Sequence, residues 1–274
     1  PKRRLTGICD SAQAGRFAII DSAANNSLRQ FIGHLLPGSC DACCSPLQSS
    51  NAALCNDCID ELPHLTSVCR RCSVPLNSGA LCATCQLTPP SFRHCISAFH
   101  YQPPIDNLIL RLKQDPFTAE INQLCAKLAL RIVKRYRETQ LPFPQTLIPL
   151  PLHWLKLARR GFNQSDIIGR HLARHLATEH NIEIELRSDL CKRITHGQAQ
   201  HLLNAKKRLR SMKKAFAVEQ RAIPHLDGLT VAVVDDVVTT GATTNSVAAA
   251  LLRSGAAQVD IWSIARTSWN NSPR

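Results

Sequence analysis

The sequence predicts an α/β protein in which a parallel sheet flanked by helices follows a small cysteine-rich metal module. Three observations predict it. From residue 91 onward, apolar segments of strand length alternate with amphipathic segments of helix length; four Cys-x-x-Cys pairs are confined to residues 40–85; and the most apolar strand, 229–234, runs into two acids and a threonine–glycine turn.

The elements follow in order. Residues 119–139 place Ile121, Cys125, Leu128, Ile132 and Tyr136 on one helical stripe. Residues 146–151 are a short apolar run stopped by prolines, 164–177 a helix and 182–186 a strand. The nearly continuous apolar run 229–234 suits a strand buried on both faces. Residues 243–254 form a small-residue helix ended by Gly255, and 258–265 a further strand. In such a sheet, ligands bind beyond the carboxyl ends of the strands.

The 274 residues accommodate one α/β domain of roughly 150–200 residues and an accessory module. We expect a leader over 1–35, loosely ordered, the cysteine-rich module over 36–90 and the α/β domain over 91–274, with Pro89-Pro90 as a stiff junction. The chain opens on Pro1 and its single methionine is Met212, so its first residue reads as a processed end or a fragment boundary. No run reaches the 18 or more apolar residues of a membrane helix, which predicts no membrane insertion. Thirteen cysteines without an export signal favour metal binding in a reducing cytoplasm over a disulfide framework. The net charge of +13 lies almost wholly in the second part: residues 1–90 hold 7 Lys/Arg against 6 Asp/Glu, and 91–274 hold 26 against 14. That excess fits a site handling phosphates or nucleic acid.

The cysteine pairs are Cys40/Cys43, Cys55/Cys58, Cys69/Cys72 and Cys82/Cys85, with 11, 10 and 9 residues between successive pairs. A two-residue spacer lets both thiolates of a knuckle reach one tetrahedral ion, so eight ligands suit two structural zinc ions. Short gaps favour sharing between sequential pairs, with Cys44 a spare. A module so poor in large apolar side chains needs metal in place of a core, and we expect chelation to unfold it while the α/β domain stays folded.

After the strand, Asp235 and Asp236 are followed by Val238, Thr239, Thr240, Gly241, Ala242 and Thr243 at the start of a helix. Successive backbone amides and threonine hydroxyls there converge on a phosphate, and Gly241 permits close backbone approach. Two acids beside a phosphate cradle repel it unless they take ribose hydroxyls or a hydrated magnesium ion; a sugar phosphate supplies both. The segment is not a Walker loop, because no Gly-Lys-Ser/Thr follows.

The string 234–243 resembles the phosphoribosyl-diphosphate (PRPP) motif of type I phosphoribosyltransferases, and the chain as a whole is similar to the ComF/GntX family, associated with competence and DNA utilisation. The likeness covers roughly residues 31–268. It includes the cysteine pairs as a double zinc ribbon, Tyr101 with the segment 108–113, the segments 148–153 and 159–164, and the ending 255–267. Ser211 departs from it, standing between Arg208 and Phe216 where the family carries Asn. The resemblance implies a type I phosphoribosyltransferase-like fold, the 5′-phosphate on residues 239–243, ribose hydroxyls on Asp235 and Asp236, and magnesium bound with PRPP. It also places Arg159 and Arg160 beside the diphosphate, where two arginines provide multidentate contacts.

Residues 191–221 carry nine Lys/Arg against Glu219 alone. Lys206, Lys207, Arg208 and Arg210 are candidates for a hood over PRPP or a surface for single-stranded DNA. The expected function is that of a PRPP-binding, phosphoribosyltransferase-like protein of competence or DNA utilisation. Its acceptor and catalytic base are not identified by the sequence. The alternative is a catalytically silent PRPP- or nucleotide-sensing module that binds single-stranded DNA or a partner in the competence machinery.

Overall fold

The computed structural model describes residues 38–47, 52–194 and 215–268. The first ribbon carries α1 (Asn56–Asp60) and the second α2 (Ala83–Leu87). Then follow β1 (Cys95–His100), α3 (Ile105–Leu112), α4 (Glu120–Thr139), β2 (Thr146–Pro149), α5 (Trp154–Arg160), α6 (Gln164–His180), β3 (Glu185–Leu186), β4 (Cys191–Arg193), β5 (Phe216–Val218), β6 (Thr230–Val238), α7 (Ala242–Arg253) and β7 (Gln258–Arg266). Five strands form one sheet in the order β1-β7-β6-β2-β3, every pair parallel, while β4 and β5 form a separate antiparallel pair.

A central parallel strand needs cover on both faces. On one side of β6, Ala232 and Val234 pack with Leu128 and Ile132 of α4 and Ile168 and Leu172 of α6. On the other, Val231 and Val233 pack with Val247 and Leu251 of α7. Alternation with period two thus sends β6 into two cores. From β2 the chain moves outward to β3, and from β6 it moves the other way to β7. The crevice between the carboxyl ends of β2 and β6 is therefore the point where strand order reverses, the place where open α/β sheets bind ligands.

The two ribbons straddle the β1 edge. Leu54, Ile59 and Leu62 of the first join the α4/α6 core, whereas Val74 of the second and Phe92 just beyond it join the α7 core. Between them, the Leu65 amide donates to Ala98 O at 3.0 Å and the His100 amide to Pro63 O at 2.8 Å, which closes the exposed edge of β1. The Gln123 side chain accepts from the amides of Ala53 and Leu54 at 3.0 and 2.9 Å and donates to Leu54 O at 2.7 Å, fastening the first ribbon to α4. Lacking enough apolar residues for a core of their own, the ribbons share those of the sheet.

The elements differ from the sequence expectations in physically intelligible ways. Helix α6 runs on to His180 and stops where Asn181 adopts a left-handed conformation (φ 56°), a role often taken by glycine. The expected strand 182–186 shrinks to Glu185–Leu186, an edge strand paired only to Thr146 and Leu147. Strand β6 continues past its apolar run through both acids to Val238, because β7 pairs with it as far as Arg266.

Helix α6 lies close on the sheet at Gly169. A Cβ there would meet Leu186 Cδ1 at 2.9 Å, Val234 Cγ1 at 3.4 Å and Pro149 Cγ at 3.7 Å. Gly169→Val should lower unfolding free energy by about 1–3 kcal/mol through overpacking. The smaller Gly169→Ala should cost less, since the end of the Leu186 side chain can turn away. Denaturant unfolding of the two variants checks the order.

Candidate functional site

The sulfurs of Cys40, Cys43, Cys55 and Cys58 lie within 4.8 Å of one another, as do those of Cys69, Cys72, Cys82 and Cys85. Sequential pairs therefore come together. The two knuckles repeat each other: the residue after the second cysteine, Cys44 or Ser73, is left-handed (φ 60° and 56°), and the third cysteine precedes a short helix. Amides point at sulfur, with Cys55 N 3.3 Å from Cys40 Sγ and Cys82 N 3.3 Å from Cys69 Sγ. Across the pairs, Cys43 and Cys55 sulfurs stand 3.7 Å apart, and so do those of Cys72 and Cys82. Four thiolates at about 2.3 Å from a tetrahedral zinc would stand about 3.8 Å apart, so the donor set fits that ion. Burial pushes the Cys72 thiol up to about 12 and raises Cys58 and Cys85 as well; four ionised sulfurs here need a cation among them. A zinc ion so held closes its shell and ties distant segments together.

The second constellation occupies the crevice between β2 and β6. Asp235 and Asp236 are both buried, at 7% and 6% exposure, inside the sheet's carboxyl end where β2 has already stopped at Pro149. The two carboxyls take different partners, as successive strand residues should. Asp235 Oδ1 accepts from Ser165 Oγ at 3.3 Å and from the Asp236 amide at 2.9 Å. Asp236 Oδ2 lies 2.9 Å from Lys113 Nζ, just beyond α3. Burial first, and then the charge of Asp236, hold the Asp235 carboxyl well above the usual carboxylate range.

Beyond β6, Thr239 and Thr240 are exposed and Gly241 caps α7 in a left-handed conformation (φ 79°). Ala242 N donates to Thr240 Oγ1 at 3.3 Å, and Thr244 Oγ1 donates to Gly241 O at 2.9 Å. The turn that contains Thr239, Thr240, Gly241, Ala242 and Thr243 thus forms where the sequence predicts it, with Val238 buried as the last residue of β6. On the β2 side, Asn163 donates through Nδ2 to Leu150 O at 3.1 Å and caps α6 by accepting from the Ser165 amide at 3.2 Å. These bonds hold the loop that carries α5, in which Arg159 and Arg160 occupy the last turn and no residue is buried.

Burial lowers the Lys156 pKa, and the positive charges of Arg193, Arg160, Lys113 and Arg159 lower it further. Arg193 is itself held down by burial and pulled up by Asp235. Five cations from three separate segments thus act on one another, and two of them, Lys113 and Arg193, act also on the acid pair, an arrangement suited to an anion of high charge. Sequence reasoning weighed Arg159 and Arg160 but gave no role to Lys156. The signal was its spacing: i, i+3 and i+4 put Lys156, Arg159 and Arg160 on one helical face. Ser165 and Arg193 left no comparable trace, because only the fold brings them to Asp235. Lys206, Lys207, Arg208 and Arg210 lie outside the described residues.

Two expectations follow. Metal analysis of protein prepared without chelator should find close to two zinc ions per chain. Because the ribbons share both cores and close the β1 edge, stripping the metal should also remove amide hydrogen-exchange protection from β1; protection unchanged in β1 would contradict the shared core. Asp235, with its pKa raised in the folded chain, contributes stability that is full below the unfolded carboxylate range and is lost as pH rises through the folded value. At neutral pH, Asp235→Asn should therefore raise unfolding free energy, on the order of 1 kcal/mol, and flatten that pH dependence. Thermal melts of both proteins from pH 4 to 8 measure it.

Comparison with known proteins agrees with this geometry. Residues 31–86 match the double zinc ribbon domain family. The chain is 36% identical to DNA utilization protein YhgH of Salmonella typhi over 240 residues, covering 85% of this chain and 98% of that protein. It is 32% identical to competence protein F of Haemophilus influenzae over 232 residues (83% and 96%), and 24% identical to competence protein ComFC of Bacillus subtilis over 222 (78% and 84%). Among solved structures, a hypoxanthine phosphoribosyltransferase of Trypanosoma cruzi aligns with a TM-score of 0.33 at 18% identity, over 53% of this chain and 63% of that one. A hypoxanthine-guanine phosphoribosyltransferase of L. donovani aligns with a TM-score of 0.35 at 17% identity (52% and 66%). Near-complete coverage of relatives more than 30% identical, together with the paired four-cysteine centres, makes this chain a member of the ComF/GntX family of competence and DNA-utilisation proteins.

Proposed function

We propose that the crevice between β2 and β6 binds PRPP, or a closely related sugar phosphate, and that the chain serves competence or DNA utilisation as a cytoplasmic, phosphoribosyltransferase-like protein. The observation that carries this reading is a buried acid pair that meets Lys113 and Arg193, which in turn act on the cations Lys156, Arg159 and Arg160 of α5, next to a Thr-Thr-Gly turn at a helix N-terminus. A diphosphate needs several cations, a monophosphate needs the amides of 239–243, and ribose hydroxyls need acceptors. The order along the crevice supports PRPP, which carries all three groups. Magnesium would accompany the diphosphate, with Asp235 and Asp236 holding ribose hydroxyls or the ion's water shell.

In turnover, the bond from the ribose anomeric carbon to the diphosphate oxygen breaks as an acceptor's lone pair bonds to that carbon. The acceptor's proton passes to solvent and the cations stabilise the departing pyrophosphate. The acceptor is best sought by screening bases, nucleotides and DNA for pyrophosphate release. Single-stranded DNA is the proposed macromolecular partner, its phosphates meeting the basic excess at Lys206, Lys207, Arg208 and Arg210.

Calorimetry with PRPP and magnesium tests the site. The wild type should bind, Asp235→Asn/Asp236→Asn together should lose at least tenfold in affinity, and Thr240→Trp should block the phosphate turn. Equal affinity in wild type and the double variant would sink the assignment. PRPP binding without pyrophosphate release across the acceptor screen would make the chain a PRPP-responsive binding module.

A further inference from the structure

Arg266, the last residue of β7, is 2% exposed. Its Nε donates to Cys72 O at 2.9 Å, and its Nη1 donates to Val238 O at 3.0 Å, to Thr239 O, and to Thr267 O at 3.3 Å. The neighbouring Thr267 adds two bonds to the same turn: its amide donates to Val238 O and its hydroxyl to Thr239 O, both at 3.2 Å. Cys72 supplies a sulfur to the second metal centre, and Val238 and Thr239 lead into the phosphate turn. One guanidinium therefore joins the two centres through backbone carbonyls. Among the described residues, it forms no ion pair with a carboxylate.

The geometry has a direct consequence for the turn. In a trans peptide the carbonyl and the following amide point in opposite directions. With the carbonyls of Val238 and Thr239 turned toward Arg266, the amides of Thr239 and Thr240 point away from it, at the two residues of the turn that stand exposed. The buried cation also leaves a positive charge behind those amides, and a phosphate in front of them supplies its missing counter-charge. In turn, the position of Nε depends on the Cys72 carbonyl, which a metal on Cys69, Cys72, Cys82 and Cys85 holds in place.

We propose that Arg266 is a positioning residue that couples the second zinc ribbon to the phosphate turn, so that zinc in that ribbon and PRPP in the crevice strengthen each other's binding. This inference rests on the PRPP reading above. Linkage makes the effect reciprocal: if the metal raises PRPP affinity by some factor, PRPP raises metal affinity by the same factor. The first ribbon has no comparable contact with the turn among the described residues, and its zinc should be indifferent to PRPP.

The test follows transfer of zinc from the full chain to a chromogenic chelator, with and without saturating PRPP and magnesium, beside calorimetry on the same preparation. In the wild type, one of the two zinc equivalents should leave several-fold more slowly when PRPP is present, and the other at an unchanged rate. Arg266→Met should abolish that difference and weaken PRPP binding at least tenfold. Arg266→Lys keeps the charge without the fork, and should retain part of the affinity while losing the effect on zinc. A residue that merely stabilised the fold would speed both zinc equivalents alike and leave no PRPP dependence to lose. The wild-type measurement decides even where a variant fails to fold. PRPP binding by calorimetry together with PRPP-independent zinc release would overturn the coupling and leave the site assignment standing. No PRPP binding in the zinc-loaded wild type would overturn both.

Discussion

A parallel sheet must be covered on both faces and at its edges, and the rest of this molecule follows from how that requirement is met. Helices α4 and α6 cover one face of the central strand and α7 the other. The β3 edge is only two residues long and offers little backbone to another chain. At the β1 edge the cover is made by two ribbons with few apolar residues, each organised by four cysteines and joined by the segment that bonds to β1. Metal and sheet are thus parts of one folding unit: the sheet lends the ribbons a core, and the clamped ribbons give β1 a partner.

The same topology concentrates charge at one end. Where β2 stops and β6 continues, the backbone of β6 has lost a neighbour, and the residues placed there are two acids buried almost completely. Burying ionised carboxylates is costly unless they are paired. Asp236 has Lys113 in an ion pair, while Asp235 accepts from a serine hydroxyl and a backbone amide and, among the described residues, forms no ion pair, feeling the charge of Arg193 only from farther off. Its raised pKa is the mark of that cost. Sites under this kind of electrostatic load are where proteins give up stability for binding. At the far ends of the strands a buried acid has closer partners. There, Asp260 is fully buried but receives Arg93 at 2.9 Å and Tyr136 at 2.5 Å.

How much of this was legible in the sequence depended on how far each constraint reaches along the chain. The cysteine pairs were legible, including which pairs meet, because a tetrahedral ion fixes both the spacing within a knuckle and the short reach between knuckles. The turn at 239–243 was legible because strand, acids, threonines and glycine are consecutive. Helix α5 was not, since seven residues with no buried side chain leave no apolar period to detect. Strand β1 was missed for a different reason: buried nearly throughout, its six residues mix polar Ser97 and His100 with apolar neighbours and give neither an alternating nor a continuous apolar pattern. The continuation of β6 through the acids was invisible because it is imposed by pairing with β7, a segment about thirty residues away. The ring of cations was half legible. Lys156, Arg159 and Arg160 share one face of α5 and could be read from their spacing, whereas Lys113 and Arg193 come from separate elements that only the fold brings near them.

On the PRPP reading, that assembly accounts for a preference for a ligand carrying several negative charges. Three cations sit on α5, which buries none of its residues, and one each on the end of α3 and on β4. Loss of solvent and then mutual repulsion lower the Lys156 pKa, and among the described residues the Nε of Arg193 is buried without a hydrogen-bond partner. On the proposed reading, an anion in the crevice would relieve that repulsion. A single phosphate would be expected to engage the turn at 239–243 and leave most of the cations unneutralised. On the PRPP reading proposed above, a diphosphate on the same ribose would reach the β2 side while the 5′-phosphate took the β6 side, so that one molecule would bridge the two loops.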